Sequence, residues 1–170
     1  FYMFMGTEGY GSSAGSSFQN CSKIETVDMS APDFLDEIPY STFANCTSLK
    51  TVLLPPILDR IDNSAFMGCS SLDGVDFPNT LKVINSNAFQ DCTSLSSIDL
   101  SECKVLGTIE PYAFRRCTGL ETAYLPKTLN WIGERAFEDC KSLANLTVEA
   151  QDPADLGDYV FDGVKTDRCV

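Results

Sequence analysis

The sequence of 170 residues contains no histidine. Histidine is the usual general base near neutral pH, the partner of catalytic serine and cysteine nucleophiles, and the commonest transition-metal ligand. The sequence also lacks a glycine-rich phosphate loop and a G-x-S-x-G turn, and no apolar run approaches the ~20 residues that cross a bilayer. We therefore predict a protein that is not an enzyme, has no cofactor or bound metal, and does not insert directly into a membrane.

Basic residues are scarce. The sequence contains 12 lysines and arginines and 24 aspartates and glutamates, so its net charge is -12. Nucleic acids and anionic lipids are bound largely through clustered Lys and Arg, and Arg115–Arg116 is the one adjacent basic pair. We predict no nucleic-acid partner. Because residue 1 is Phe rather than Met, we also expect a trimmed piece of a longer chain, whose targeting segment is not included.

The dominant feature is a repeat. Phenylalanines recur at intervals of 23 to 25 residues, with a cysteine three positions later and a leucine or isoleucine six positions later in nearly every copy. The phenylalanine column is Phe18, Phe43, Phe66, Phe89, Phe114, Phe137 and Phe161. A period of this length is typical of solenoids, in which each unit is too small to bury its own apolar face and packs on its neighbours.

Each copy combines several local patterns. The segment "LDGVDFP" (residues 72–78) alternates apolar and polar side chains and ends in proline, as a short strand does. A Leu-x-x-Ile turn follows, and then "xxxAFxxC", which predicts one turn of α- or 3₁₀-helix. The predicted fold is an α/β repeat solenoid: a right-handed leucine-rich-repeat coil with a parallel sheet on one face and short helical turns on the other.

The repeat also predicts the domain organisation. Residues 1–17 are expected to form a degenerate N-terminal repeat or cap, residues 18–148 the regular repeats, and residues 149–170 a partial repeat or cap. Two copies are longer, with extended links at 29–38 and 100–109 that are expected to bulge outward.

The repeat pattern "IxxxAFxxCxSLxxVxLPxxLxxI" closely resembles that of the BspA-like subfamily of leucine-rich repeats, and the resemblance covers residues 13–164. Members of this family are known mainly from surface or secreted proteins of mouth and gut bacteria and from some protozoan parasites. The resemblance implies a bacterial protein that is secreted or displayed on the cell surface, and a role in adhesion to host, matrix or cell-surface proteins.

The cysteines fall into two groups. Six of the eight lie in the repeat column and are expected to form a buried ladder of free thiols, because free cysteine packs as a small hydrophobe. Cys103 and Cys169 lie outside the column, and Cys103, in a longer link, is expected to be more exposed. Whether either forms a disulfide stays open. Stacked Asp76 and Asp99 suggest calcium only weakly, because a flat ladder seldom supplies six to eight oxygens.

A binding function is expected on the exposed positions of the strands. The candidate partner-binding residues are Asp28, Leu53, Asp76, Asp99, Tyr124, Thr147 and the single tryptophan, Trp131. Leu53 and Tyr124 are apolar exceptions on a polar, partly acidic face and are suitable anchors for a protein partner. Two alternatives stay open: glycan binding through Tyr124 and Trp131, and a structural spacer attached to another domain.

Overall fold

The computed structural model describes residues 17–31, 34–149 and 155–164. Across these residues the chain forms twelve short strands and no helix. The strands build a solenoid in which each coil runs from one phenylalanine of the repeat column to the next. The N-terminal cap expected at 1–17 and most of the C-terminal cap expected at 149–170 lie outside the described residues.

Alternate strands form the front sheet, which the Leu-x-x-Val pattern predicts. Its strands are β1 Thr26–Asp28, β3 Thr51–Leu53, β5 Gly74–Val75, β7 Ser97–Asp99, β9 Thr122–Leu125 and β11 Asn145–Val148. Each pairs in parallel with the equivalent residues of the neighbouring coil, for example Val27 with Val52. Val52 is buried while Thr51 and Leu53 are exposed, because successive side chains of a strand point to opposite faces.

The front sheet is interrupted once. Its strands form two ladders, β1-β3-β5 and β7-β9-β11, with no strand pairing between β5 and β7. The interruption coincides with Phe77, whose column is otherwise filled by aliphatic residues: Met29, Leu54, Leu100, Leu125 and Val148. Phe77 packs edge-on against Phe89, with the ring centroids 5.7 Å apart. An aromatic ring thus occupies a position that is aliphatic in the other coils. The strand β5 ends at Val75, two residues before Phe77.

A second sheet, the side sheet, was not predicted. Its six strands are β2 Glu37–Ile38, β4 Arg60–Ile61, β6 Val83–Ile84, β8 Thr108–Ile109, β10 Trp131–Ile132 and β12 Asp155–Leu156. They pair in parallel in one continuous order from β2 to β12. The prediction of a single sheet is wrong, because the isoleucine of each Leu-x-x-Ile unit belongs to a strand rather than to a turn. Two residues are too few to show an alternating pattern in the sequence.

The predicted helical face is also wrong: the "AFxxC" segment is a strip of turns. Two residues per coil, at positions two before and two after the phenylalanine, have positive φ, which interrupts any right-handed helix. These pairs are Ser41/Asn45, Ser64/Gly68, Asn87/Asp91, Tyr112/Arg116, Arg135/Asp139 and Tyr159/Gly163. We call these segments the turn strip.

Backbone hydrogen bonds between coils stabilise the turn strip. The amides of Ser41, Phe43 and Asn45 donate to carbonyl oxygens of the following coil, at 3.0, 2.8 and 2.6 Å. The same three positions repeat this pattern in every coil up to Asp139, which donates to the Asp162 carbonyl. Left-handed conformations are costly for non-glycine residues, and these bonds between coils offset that cost.

The core confirms the predicted columns. The phenylalanine rings stack along the solenoid with centroids 5.2 to 5.8 Å apart. The column cysteines from Cys46 to Cys140 are buried, Cys21 is partly buried, and all are free. The thiol of Cys92 donates to the Phe66 carbonyl at 3.2 Å, and its neighbours repeat this contact.

Cys103 is buried as well, with 1% of its surface exposed, and it is free. The expectation that it is exposed is therefore wrong. The longer link turns its thiol inward beneath the coil, at 3.5 Å from the Pro78 carbonyl oxygen, while Val105 takes the exposed position at 53%. The question of a disulfide at Cys169 lies outside the described residues.

Candidate functional site

The outward side of the front sheet is the candidate site. We call the front face the set of Asp28, Leu53, Asp76, Asp99, Tyr124 and Thr147, together with the residues two positions before each. Strand register places Asp28 beside Leu53, Asp99 beside Tyr124 and Tyr124 beside Thr147. Leu53 is 39% exposed and Tyr124 42% exposed, so both apolar side chains reach solvent from a hydrogen-bonded scaffold.

The centre of the front face lies at the interruption of the sheet. Asp76 is exposed and follows the end of β5, without a paired partner in β7. Two positions before it, Gly74 leaves a gap in the column: a Cβ built there would have no heavy atom within 4 Å. Its counterparts in the paired coil and in β7 are Thr51 and Ser97. The front face therefore has a shallow notch beside Asp76.

Two carboxylates of the front face are held by turns at the strand ends. Asp28 accepts hydrogen bonds from the Ser30 hydroxyl at 2.6 Å and from the Ser30 amide at 3.0 Å. Asp99 accepts one from the Ser101 amide at 3.0 Å. Hydrogen bonds from Ser30 and Ser101 lower the pKa of Asp28 and Asp99 below the usual value. Both groups are therefore anionic at neutral pH and fixed in direction.

Several carboxylates elsewhere on the solenoid form ion pairs with a basic residue of the neighbouring coil. In the turn strip, Arg116 forms a bidentate ion pair with Asp91: its Nε and Nη2 donate to the two carboxylate oxygens, each at 2.6 Å. Further ion pairs between coils join Arg115 to Glu138, Arg60 to Glu37, Lys82 to Asp59 and Lys50 to Glu25. Within the described parts of the chain, Asp28, Asp76 and Asp99 take part in no ion pair. The front face thus carries negative charge that is not compensated by an ion pair within the residues that the structure describes.

Trp131 lies apart from the other candidates. It is in β10 of the side sheet, half-buried, and pairs with Thr108 on one side and Asp155 on the other. The structure therefore pairs Asp28 with Leu53 in one ladder and Asp99, Tyr124 and Thr147 in the other. Asp76 lies just after β5, and Trp131 is on a different sheet from Tyr124. Val83 lies two coils from Trp131, with Thr108 between them.

Sequence reasoning did not identify a recess beside the front face. It has a volume of about 270 Å³ and lies where the longer link at 100–109 meets the next two coils. Its lining residues are Ser101, Glu102, Lys104, Pro126, Lys127, Thr128 and Glu149. The two extra residues of that link are the sequence signal that could have indicated it. Its lining mixes both signs of charge, and Lys104 is already paired with Glu102 at 3.0 Å.

Within the described residues, no group of three or more Cys, Asp or Glu side chains is arranged to hold a metal ion. That part of the chain also contains no helix of the length and apolar character needed to span a bilayer.

The family model of the BspA type leucine rich repeat region matches residues 8–96 and 36–166, with six copies. No curated protein matches the chain significantly. Among solved structures, a leucine rich repeat protein of T. pallidum is 28% identical with a TM-score of 0.72; the match covers 88% of this chain and 67% of that one.

Two further solved structures are more distant. A leucine-rich repeat protein from Bacteroides ovatus is 23% identical with a TM-score of 0.60, and the match covers 89% of this chain and 44% of that one. A leucine rich cell surface protein from Faecalibacterium prausnitzii is 18% identical with a TM-score of 0.31, and the match covers 80% of this chain and 62% of that one.

Proposed function

The chain belongs to the BspA type leucine-rich repeat family, and on that premise we propose that it is a non-catalytic module that binds a protein partner through the front face. Leucine-rich repeat proteins generally serve as scaffolds for protein interactions, because a stack of coils presents a continuous surface. We further propose that the module belongs to a protein exported to a bacterial cell surface, where it contributes to adhesion or to binding of host or matrix proteins.

The observation that supports this function is the exposure of Leu53 and Tyr124 on the front face. Most equivalent neighbours in the column are polar, and both apolar side chains extend from strands whose backbones are paired on both sides. A rigid scaffold lowers the entropy lost on binding, and exposed aromatic side chains are frequent anchors at interfaces. Both features are typical of a recognition surface.

Support for the location comes from the family. BspA-like repeats are known mainly from surface and secreted bacterial proteins, which is the basis for proposing export. The chain spans 67% of the T. pallidum protein and 44% of the Bacteroides ovatus protein. Because the chain spans only part of these proteins, we propose, rather than observe, the activity and the partners of any longer protein that contains this module.

The experiment is a binding assay with host matrix proteins, each immobilised separately. The folded chain would be compared with the double variant Leu53→Ala/Tyr124→Ala, and we expect that variant to lose most of the binding. The matched control is Tyr40→Ala/Ile57→Ala, which removes an equally exposed aromatic and aliphatic pair outside the front face. Equal binding by all three proteins would contradict the assignment of the front face.

The alternative is a spacer without a ligand of its own, attached to another domain. Coverage of less than half of the Bacteroides ovatus protein is consistent with such an arrangement. Absence of binding to every tested protein by a chain that circular dichroism and thermal unfolding show to be folded would favour the spacer.

A further inference from the structure

We propose that the partner segment that binds the front face is basic, with arginine or lysine side chains contacting Asp76 and Asp99 and apolar side chains packing on Leu53 and Tyr124. This inference rests on the proposed function and specifies the chemistry of the partner. It depends on three observations: the order of residues in the column, the uncompensated charge and the notch at Gly74.

The order of the column is the first observation. Along the solenoid the front face reads Asp28, Leu53, Asp76, Asp99, Tyr124 and Thr147. Two carboxylates thus occupy the centre, with one apolar anchor on each side of them. These four side chains belong to four successive coils, so a single extended segment or helix of a partner that lies along the solenoid can contact all of them.

The absence of ion pairs at the central carboxylates is the second observation. Some acidic residues of the turn strip and the side sheet meet an arginine or lysine one coil away, as Asp91 meets Arg116 and Asp59 meets Lys82. The central carboxylates of the front face have no such cation within the described residues. An anionic surface of this kind is complementary to a positively charged partner, and its field increases the rate of their encounter.

The notch at Gly74 is the third observation. A side chain at this position would stand on the front face beside Asp76, as Thr51 and Ser97 do in the neighbouring coils. Because glycine has no side chain, the carboxylate of Asp76 is open on that side. A guanidinium group is flat and donates several hydrogen bonds in one plane, so it can enter such a notch and contact the carboxylate. Tyr124 adds an aromatic surface on which a second cation can lie.

The test uses three labelled peptides of equal length in which every second residue is leucine and the remaining positions are all Arg, all Gln or all Glu. Binding to the whole chain would be measured by fluorescence anisotropy at low and at physiological salt. We expect saturable binding of the Arg peptide alone, weakened by added salt because exposed charges are screened.

Variants locate the binding. Asp76→Asn/Asp99→Asn is expected to weaken the Arg peptide about tenfold, since two exposed ion pairs are lost. The matched control, Asp155→Asn/Asp158→Asn, changes net charge equally at exposed positions outside the front face and is expected to have little effect. Gly74→Thr restores the side chain found at Thr51 and Thr122, and is expected to weaken binding without loss of thermal stability.

The outcomes separate this inference from the proposed function. Equal weakening by both double variants would mean that the peptide senses net charge alone, and would overturn the inference. The inference would also be overturned if the Gln or Glu peptide binds and if Leu53→Ala/Tyr124→Ala abolishes that binding. In that case the front face would remain a protein-binding surface. A matrix protein bound equally well by Leu53→Ala/Tyr124→Ala would instead contradict the proposed function.

Discussion

The rings of Phe89 and Phe114 lie 5.3 Å apart and within 2° of parallel, although 25 residues of sequence separate them. Both side chains are fully buried. The same relationship joins each pair of neighbours from Phe18 to Phe161. One continuous aromatic stack therefore connects all coils, and each inner ring contacts two neighbours.

The first prediction concerns this stack. Phe114→Ala is expected to destabilise the protein by about 3–5 kcal/mol, because it removes a buried ring and leaves a cavity between two others. Phe114→Leu keeps much of the volume and is expected to cost about 1.5 kcal/mol. Tyr124→Ala, an aromatic deletion on the surface of the same coil, is the control, with an expected change of about 0.5 kcal/mol. Urea unfolding followed by circular dichroism measures all three, and a Phe114→Ala cost as small as that of the control would contradict the stack's role.

The second prediction compares two glycines. A Cβ at Gly133 would lie 2.3 Å from the Pro111 nitrogen and 2.6 Å from the Glu110 carbonyl carbon. Both are backbone atoms that cannot move without shifting the coil, so Gly133→Ala is expected to cost about 1–3 kcal/mol.

Gly74→Ala is the matched control for this pair, because a Cβ there meets no atom within 4 Å. It is expected to leave the melting temperature unchanged or to raise it slightly, since alanine loses less backbone entropy on folding. Equal melting temperatures for the two alanine variants would show that the coils are less closely packed than the distances indicate.

The third prediction concerns alkaline pH. Burial raises the pKa of the Cys69 and Cys140 thiols from 9.0 to about 12. The folded state therefore holds these protons more tightly than the unfolded state, so their contribution to stability is complete below about pH 9. It is lost as the pH rises from about 9 towards 12. The free energy of unfolding should fall over this range.

The double variant Cys69→Ala/Cys140→Ala is the comparison for the pH series. It should be less stable at pH 8, because two buried side chains are shortened, but its stability should fall less steeply above pH 9. Parallel pH curves for the two proteins would mean that the Cys69 and Cys140 thiols do not contribute to the decline.

The fourth prediction concerns the ion pair between Asp91 and Arg116. Its side chains are 34% and 40% exposed, so solvent screening limits the pair to about 0.5–1 kcal/mol in a double-mutant cycle at neutral pH. The hydrogen bonds from Arg116 lower the pKa of Asp91 below 3.8. The coupling energy is therefore present above pH 3.8 and is lost as the pH falls further. The pair of Glu102 and Lys104, 77% and 69% exposed, is the control and should show almost no coupling.

The fifth prediction concerns Cys103. Because only 1% of its surface is exposed and burial raises its pKa to about 11, its thiol should react slowly with iodoacetamide at pH 8 in the folded protein. Unfolding in urea should make it react as fast as a free thiol. Mass spectrometry of the peptide that carries Cys103 measures both rates, and rapid labelling in the folded state would contradict the burial of the link.

The sequence predicts the period, the core columns and the front face, because each depends on residues that recur at fixed offsets. Phe66, Cys69 and Leu72 illustrate this: their spacing alone places them in the core, where all three are fully buried. The exposed positions of the front face follow from the same spacing, and parallel pairing joins equivalent residues within each of its two ladders, as Asp28 with Leu53 and Tyr124 with Thr147.

The conformation of the turn strip could not be predicted in this way. The residues with positive φ include Tyr112, Arg116 and Arg135, which have no intrinsic preference for that region. Their conformation is imposed by hydrogen bonds to the next coil, which local sequence does not encode. The "AFxxC" segment therefore resembles a helical turn in sequence only.

The interruption of the front sheet and the burial of Cys103 both depend on packing. A single large side chain, Phe77, coincides with the point where strand pairing stops. In the longer link, Cys103 points into the core and Val105 points outward. Because both side chains are small and apolar, the sequence of the link does not indicate which of the two is buried. Gly74 is a further example, because the sequence does not show that it leaves a notch beside Asp76.

The amides of the turn strip donate in one direction, from each coil to the one that follows it. Every inner coil therefore has one edge that donates backbone hydrogen bonds and an opposite edge that accepts them. Either edge can pair with the complementary edge of any coil of the same kind. A gene duplication that inserts one whole repeat preserves these matches at both joints, whereas loss of a single residue within the strip breaks them. Insertion or removal of one whole repeat therefore disturbs these hydrogen bonds less than a change of length within the strip.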